Sequence, residues 1–378
     1  MDQLGLFATA EAIPATFTAR PAPRSTDLPA PRLAPVPGPG GAAVGPDGLF
    51  VAPRPELPSA PTPRRELPSV QIPIPVRRGV RPLLIGNPRD AGQRLGDAVA
   101  DAWHSSSWGG YRIDIPVSIV AALALYPLKG HTTDVTRIIS TCTDWQLLQG
   151  YREIYATTWA HRPDLAAHMA PLMGWLAEDN ADEKVYAVRR VTDTALKYGV
   201  LEMTGSPDPD GRCDTDLMSW TITSLRSHGA RQGLGEYHTP PELCDVMARL
   251  TVGNEPPHKG AWFHEPAGGT GGMFRALAQH LRNLHVDPAD YGWAINDIDP
   301  LASAGAAVNA IVWGLGPNVL VSCGDTLAEG DLPDRAARER VALFEERDQI
   351  AGYVAVVEAI GEAMALVDRL MAGTHDHR

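Results

Sequence analysis

The sequence predicts an α/β protein in which a parallel sheet follows a helical segment and a proline-rich tail. Prolines crowd one end of the chain, since 18 of the 34 lie in residues 1–82. Apolar residues then recur at helical spacing from about residue 90 to residue 227. After residue 260, short apolar strands alternate with helices, which is the order of a doubly wound sheet.

The proline-rich tail, residues 1–82, differs from the rest of the chain in charge. It carries nine arginines and six acidic residues, a net charge of +3, whereas the remaining 296 residues have a net charge of −15. Its composition buries too little apolar surface to offset the entropy of ordering. We therefore expect a disordered tail, which is either low-complexity sequence or a docking segment for a partner. The acidity of the body argues against a nucleic-acid surface that covers all of it, and leaves room only for a local basic groove.

Residues 90–227 are predicted to form an all-helical domain, because no strand-like alternation interrupts the helical spacing. The predicted helices are 90–103, 115–126, 145–158, 165–176 and 182–198. The second is almost entirely apolar, and the stretch Ile115–Leu128 is too short to span a bilayer, so it predicts a buried helix.

The cysteines and the first residues predict the compartment. The four cysteines contain no Cys-x-x-Cys pair, so reduced thiols are expected in place of a disulfide framework or a zinc site. The histidines between residues 238 and 285 match no metal-ligand spacing, and no metal is expected. Residues 1–10 lack a basic region followed by an apolar run, so we expect no signal peptide, no membrane association and a cytoplasmic protein.

The segment predicted for residues 228–333 alternates between strands and helices. A helix from Pro241 to Leu250 leads to a strand and to the glycine-rich turn, residues 265–272. The predicted strands are Ala261–His264, Gly292–Asn296 and Asn318–Ser322, and the helices between them are Met273–Leu284 and Leu301–Trp313.

The turn and the strand ends predict a nucleoside site. A glycine-rich turn lets the backbone approach a ligand closely, and an acid at the end of the next strand can accept hydrogen bonds from ribose hydroxyls. Phe274 stands where a dinucleotide fingerprint needs a small residue, and no Gly-Lys-Ser/Thr phosphate loop is present. Glu265 would repel phosphate but attract a sulfonium or an amine. S-adenosylmethionine is therefore the ligand that fits.

Four segments, in the right order, resemble motifs of the adenine-N6 DNA methyltransferases, especially the modification (M) subunit of type I restriction-modification systems. Gly235–Pro241 resembles the family's G-x-(F/Y)-x-T-P segment, and Glu265–Phe274 resembles its (D/E)-P-A-x-G-T-G-G-(M/F)-(L/F) motif. Asp297–Pro300 resembles the segment with the ribose-binding acid, and Gly324–Leu327 resembles the G-D-(S/T)-L segment. The first two motifs together are fairly specific, and the closest resemblance covers about 228–330.

The resemblance implies a class I S-adenosylmethionine-dependent methyltransferase fold and assigns roles to residues. Tyr237 and Thr239 would hold the methionine end of the cofactor, Asp297 or, as second choice, Asp299 the ribose, and Asp325 the adenine. The residues expected at the cofactor are Tyr237, Thr239, Pro240, Glu265, Pro266, Ala267, Gly269, Thr270, Gly271, Gly272, Asp297, Asp299 and Asp325. Ordinary alternatives are strand-end polar residues for Glu265 and Asp297, a core aromatic for Tyr237 and a turn former for Asp325.

The sequence departs from the family at its catalytic motif. The tetrapeptide (N/D/S)-P-P-(Y/F/W), whose polar groups and ring hold the target adenine, is absent from the sequence, so no catalytic residue is predicted. Only 52 residues follow Thr326, with a helical pattern, and we expect an incomplete sheet. Residues 334–378 are predicted to form a C-terminal helix whose apolar stripe either packs within the chain or pairs in a homo- or hetero-oligomer.

Three functions compete at this point. The first is a methyltransferase that transfers methyl to adenine in DNA, with DNA and a specificity or other partner subunit as partners. The second is a catalytically deficient cofactor-binding or interaction module of a restriction, phage or mobile-element complex, which the missing tetrapeptide favours. The third is a methyltransferase acting on RNA or protein, and the Tyr-x-Thr-Pro segment argues for the first over it.

Overall fold

The residues that follow the predicted tail form a series of helices, as their apolar spacing predicts. The computed structural model describes residues 79–106, 112–178, 181–226 and 239–373. The first helices are α1 (Pro88–His104), α2 (Asp114–Leu125), α3 (Thr132–Thr141), α4 (Asp144–His161), α5 (Pro163–His168), α6 (Ala170–Met173), α7 (Val185–Lys197), α8 (Val200–Thr204), α9 (Pro209–Arg212) and α10 (Leu217–Leu225). Short 3₁₀ helices occupy Gly174–Ala177 and Ala181–Lys184.

Local sequence explains where several of these helices begin. Asn87 caps α1 by accepting a hydrogen bond from the Arg89 amide at 3.0 Å, and Pro88 follows at the first helical position. Thr143 and Gln146 form a reciprocal capping box at the start of α4. The apolar sequence of α2 is buried from Ile115 to Leu125, which confirms the predicted core helix.

One predicted helix, 165–176, is wrong as a continuous element. The chain there divides into α5, α6 and the 3₁₀ turn Gly174–Ala177. Pro171 has no amide hydrogen for an intrahelical bond, and its ring clashes with the preceding turn, so a proline inside a helix interrupts it.

The predicted tail lies almost entirely outside the described residues, which include only 79–82 of it. Within that short stretch, the Val80 amide donates to Ser140 Oγ at 3.2 Å. The neighbouring Leu83 amide donates to the carbonyl of Lys197 at 2.8 Å. These bonds join residues 80–83 to α3 and α7.

The second part of the chain contains a small parallel sheet, as predicted. Its elements are α11 (Pro241–Val252), β1 (Trp262–Glu265), α12 (Gly272–Asn283), β2 (Gly292–Asp297), α13 (Pro300–Val312), β3 (Val319–Cys323) and α14 (Leu332–Gly373), with a 3₁₀ turn at Pro288–Asp290. The strand order is β1-β2-β3, and both pairs are parallel. The molecule is thus a mixed helix and sheet protein.

The two edges of the sheet differ in exposure. Each of α13 and α14 packs against both β2 and β3. β1 pairs with β2 on one side, and the side chains of Trp262 and His264 are exposed. Among the described residues no further strand extends the sheet beyond β1.

A continuous hydrophobic core joins the helical part to the sheet. It runs from Leu95 and Trp103 in α1, through α2, to Trp293 in β2 and Val321 in β3. The division into a helical domain at 90–227 and a cofactor domain at 228–333 therefore stays a prediction.

Candidate functional site

The carboxyl ends of the three strands lie at the same edge of the sheet. Glu265 pairs in register with Ile295, and Asp297 pairs with Cys323, because all three strands run in parallel. The predicted acids Glu265, Asp297 and Asp325 therefore come to one edge, which is where ligands bind in open α/β sheets.

The glycine-rich turn connects β1 to α12 at this edge. The Gly268 amide donates to the carbonyl of Asn296 at 2.8 Å. A Cβ on Gly268 would lie 2.6 Å from the side chain of Ile295, so the turn fits closely onto β2 only with glycine there. Gly269 differs: its φ is +55°, and a Cβ would meet nothing within 4 Å. The turn therefore fits against β2 at Gly268 and faces open space at Gly269.

A cluster of the half-buried Asp216 with the buried Thr270 and Asn309 holds the glycine-rich turn on the side away from the open face of Gly269, and we refer to it as the turn brace. Thr270 Oγ1 donates to Asp216 Oδ2 at 2.7 Å. Asn309 Nδ2 donates to Asp216 Oδ1 at 2.8 Å and to the Thr270 carbonyl at 2.9 Å. Asp216 also caps α10 by accepting from the Ser219 amide at 3.0 Å. The brace thus ties the turn to α10 and α13.

Asn296, at the end of β2, connects three segments of the edge. Its Nδ2 lies 3.2 Å from the Pro266 carbonyl, 2.9 Å from the Gly324 carbonyl and 2.6 Å from Thr326 Oγ1. Its Oδ1 accepts from Ser322 Oγ at 2.9 Å. Sequence reasoning missed Asn296, although a polar residue among the apolar positions of a predicted buried strand was a usable signal.

The two acids that follow β2 have different surroundings. Asp297 is half-buried, and its carboxylate accepts from the Gly269 amide at 2.8 Å and from the Asp299 amide at 2.9 Å. Because a carboxylate offers about four acceptor positions, hydrogen bonds from a ligand can still be added.

Asp299 is engaged by the protein itself. It caps α13 by accepting from the Leu301 and Ala302 amides, and it forms a salt bridge with Arg226 at 2.5 Å. Its side chain is only 13% exposed. This geometry favours Asp297 over Asp299 as the acid that faces a ligand.

Glu265 and Asp325 complete the edge. Burial raises the pKa of the Glu265 carboxyl, with the Ala267 amide opposing the shift by donating to it. Asp325 is exposed, and its Oδ1 accepts from the Leu327 amide at 2.9 Å. The turn-forming role for Asp325 is therefore present, and its exposed carboxylate also stays open to solvent.

The remaining predicted residues lie around the turn. Pro266 and Ala267 are exposed, whereas Thr270 is buried in the brace. Thr239 and Pro240 are exposed at the start of α11. The α11 residue Cys244 has its Sγ 3.9 Å from the position of a Cβ on Gly272, so this helix begins beside the turn. Tyr237 lies outside the described residues.

Two other kinds of site are not found in the described part of the chain. It contains no group of three or more His, Cys, Asp or Glu side chains placed to hold a metal ion. None of its helices combines the length and the apolar character needed to cross a membrane.

The chain was compared with solved structures, with curated protein sequences and with protein-family models. Among solved structures, the chain is similar to the methyltransferase subunit of a type I restriction-modification system from Streptococcus thermophilus. The alignment has 17% identity and a TM-score of 0.35, and it covers 63% of this chain and 59% of that subunit, which is less than two thirds of its length. No curated protein sequence matches the chain. Residues 216–342 match the family model of the N-6 DNA Methylase, so the resemblance to the adenine-N6 DNA methyltransferases is confirmed for this part of the chain.

Proposed function

We propose that this chain binds S-adenosylmethionine at the carboxyl edge of β1, β2 and β3 and serves adenine-N6 methylation of DNA. The observation that carries the proposal is the glycine-rich turn, which protein contacts hold on one side and which is open at Gly269 on the other. The turn lies within the segment that matches the N-6 DNA Methylase model. The fold would then be a class I methyltransferase fold.

The residues at the edge suit the chemical groups of this cofactor. Asp297 has acceptor capacity for ribose hydroxyls beside the open face of Gly269. Asp325 presents an exposed carboxylate at the end of β3, where it can meet an adenine amino group. Thr239 and Pro240, at the start of α11 beside Gly272, would face the methionine end together with Tyr237.

Charge at the edge favours a cationic ligand over a phosphate. Glu265, Asp297 and Asp325 place carboxyl groups on all three strand ends. Such an edge repels a pyrophosphate but attracts a sulfonium or an ammonium group. S-adenosylmethionine supplies, when bound, an electrophilic methyl group on a sulfonium.

The protein's part in the reaction would be positioning. The turn brace and Asn296 fix the loop that faces the cofactor, so little ordering is left for the moment of binding. Methyl transfer to an exocyclic amine depends on in-line alignment more than on prior proton transfer. The groups that would hold the adenine are not identified in this sequence, and DNA is the proposed substrate through the family match alone.

Calorimetry and methyl transfer test the proposal together. Binding of S-adenosylmethionine to the full chain should be saturable and should weaken at least about tenfold in Asp297→Ala, since a hydrogen-bonded ligand group loses its acceptor. The matched control is Asp287→Ala, which removes a carboxylate at the opposite end of β2. Absence of any binding by the wild type would refute the proposed cofactor.

Transfer of a tritiated methyl group to unmethylated duplex DNA then tests the activity. The lack of the (N/D/S)-P-P-(Y/F/W) tetrapeptide favours a second candidate, a cofactor-binding or interaction module without activity of its own. Binding without transfer to DNA would support this second candidate, and binding with transfer would support the first.

A further inference from the structure

The two halves of α14 have different surroundings. Its first half packs on the body: Leu332 is 1% exposed, Arg340 pairs with Asp164 at 3.2 Å, and Arg347 Nη1 donates to the Ala160 carbonyl at 3.0 Å. From residue 348 to residue 365, every side chain that the structure describes is exposed. The second half of the helix therefore projects from the body as an anchored continuation of the first.

This projecting half carries a regular apolar stripe, defined by Ile350, Tyr353, Val357, Ile360 and Met364. The spacing alternates between three and four residues, which is the a and d pattern of a coiled coil, and the sequence continues it at Val367 and Met371. The five side chains of the stripe are between 41% and 71% exposed. Val354 and Val356, at the flanking e and g positions, are 51% and 57% exposed and widen the apolar surface.

An exposed surface of this kind is not expected to remain in water. Monomeric proteins rarely expose contiguous apolar patches larger than a few hundred Å². A helix without tertiary contacts is also only marginally stable, and its stability normally comes from packing of its apolar face. The stripe therefore requires a partner surface.

The distribution of charge along the projecting half favours a copy of the same chain as the partner. Between residues 349 and 367 the only charged residues are Glu358 and Glu362, which fall at heptad positions b and f, on the side away from the stripe. Two identical helices can therefore bring their stripes together without opposing like charges. Coiled coils that select a different partner use charged e and g positions, and here those positions are uncharged from Gln349 to Ala363.

We propose that this protein self-associates through the α14 stripe, which packs against the same stripe of a second copy. An isologous pairing of this kind is the usual geometry of homodimers. The large apolar side chains of the two stripes would then cover one another and leave the water. The inference does not depend on the proposed cofactor.

Sedimentation velocity of the full chain over a range of micromolar concentrations tests the proposal. The wild type should sediment with at least twice the 40.6 kDa mass of one chain. The double variant Val357→Glu/Ile360→Glu should associate at least about 100-fold more weakly, because it would bury two carboxylates at the contact. The matched control Ala351→Glu/Ala355→Glu adds the same charge to the outer face and should stay within about threefold of the wild type.

Further measurements separate loss of association from loss of folding. Circular dichroism should show the same thermal transition of the body in both double variants. If the glutamate variant loses that transition, Val357→Ala/Ile360→Ala replaces it, with an expected weakening of at least about tenfold. Two differently tagged copies of the wild type should also co-purify.

A wild type that stays monomeric at every concentration would overturn the proposal, as would an unchanged mass in a folded stripe variant. Binding of the monomer to vesicles of phosphatidylcholine and phosphatidylglycerol, without self-association, would also overturn it and assign the stripe to a lipid surface.

Discussion

The two faces of the glycine-rich turn differ in what satisfies their polar groups. Below the turn, the brace residues Asp216, Thr270 and Asn309 bond to one another inside the protein. Above it, Gly269 faces open space, and the acids of the edge keep acceptor capacity. The difference teaches that the contacts of the lower face hold the turn in place, whereas the proposed ligand would meet the upper face. Mutations on the two faces should therefore have separable effects.

The largest effect is expected for Asp216→Ala on the lower face. The change removes the cap of α10, leaves the buried Thr270 hydroxyl without its acceptor and leaves the Asn309 amide with only the Thr270 carbonyl, so the free energy of unfolding should fall by about 3 kcal/mol. Urea denaturation measures this loss. The matched control Asp210→Ala, at an exposed aspartate on the nearby α9, should lose less than about 0.5 kcal/mol. If the two variants lost the same free energy of unfolding, the turn brace would not stabilise the protein in the way proposed.

The next effect is expected from two adjacent glycines that face opposite ways. Gly268→Ala would place a Cβ 2.6 Å from Ile295 and should lower the free energy of unfolding by about 2 kcal/mol. Gly269→Ala meets no neighbouring atom, and only its φ of +55° is unfavourable, so it should lose about 1 kcal/mol. By contrast, Gly269→Ala should weaken S-adenosylmethionine binding more than Gly268→Ala does. If denaturation showed the larger stability loss for Gly269→Ala and calorimetry the larger affinity loss for Gly268→Ala, Gly268 would not lie on the protein face and Gly269 would not lie on the ligand face.

A smaller effect is expected for Asp297→Asn on the upper face. The amide keeps an oxygen that can accept from the Gly269 amide, but it loses the charge and one acceptor. S-adenosylmethionine affinity should fall about tenfold, while the free energy of unfolding should change by less than about 1 kcal/mol. Asp299→Asn is the informative comparison, because it disturbs the Arg226 salt bridge. It should lower the free energy of unfolding more, and the affinity for S-adenosylmethionine less, than Asp297→Asn does. A stability loss in Asp297→Asn as large as in Asp299→Asn would mean that Asp297 also belongs to the lower face.

The smallest effect is a pH dependence of binding. Burial holds the pKa of the Glu265 carboxyl above its ordinary value, so as the pH falls its charge is lost at a higher pH than that of an exposed glutamate. Affinity for the cationic ligand should therefore fall, by less than about tenfold, between pH 7.5 and pH 5. Calorimetry on Glu265→Gln should show this dependence removed. If the variant keeps it, Glu265 is not the group responsible.

The sequence predicted the upper face better than the lower one. The glycine-rich turn and the strand ends were located because their residue types carry a local signal, and the observed strands lie within one residue of the predicted ones. Asp216 and Asn309 were missed, since their partners lie 54 and 39 residues away and only the fold brings them together. The broken helix at 165–176 was missed because Pro171 was outweighed by the apolar spacing around it.

Asp216 and Arg226 have a consequence for how the chain can be divided. Both precede residue 228, where the sequence pattern changes, yet they bond to Thr270 and Asp299 beyond it. A fragment that begins at residue 228 would lack the acceptor of the buried Thr270 hydroxyl and the counter-ion of Asp299, whose side chain is largely covered. The smallest fragment that keeps all the contacts of the glycine-rich turn therefore includes α10, and the N-6 DNA Methylase match itself begins at residue 216, the position of this aspartate. In evolutionary terms, α10 and the glycine-rich turn are expected to be inherited together, and an exchange of modules between related proteins would tolerate a junction before residue 216 better than one after it.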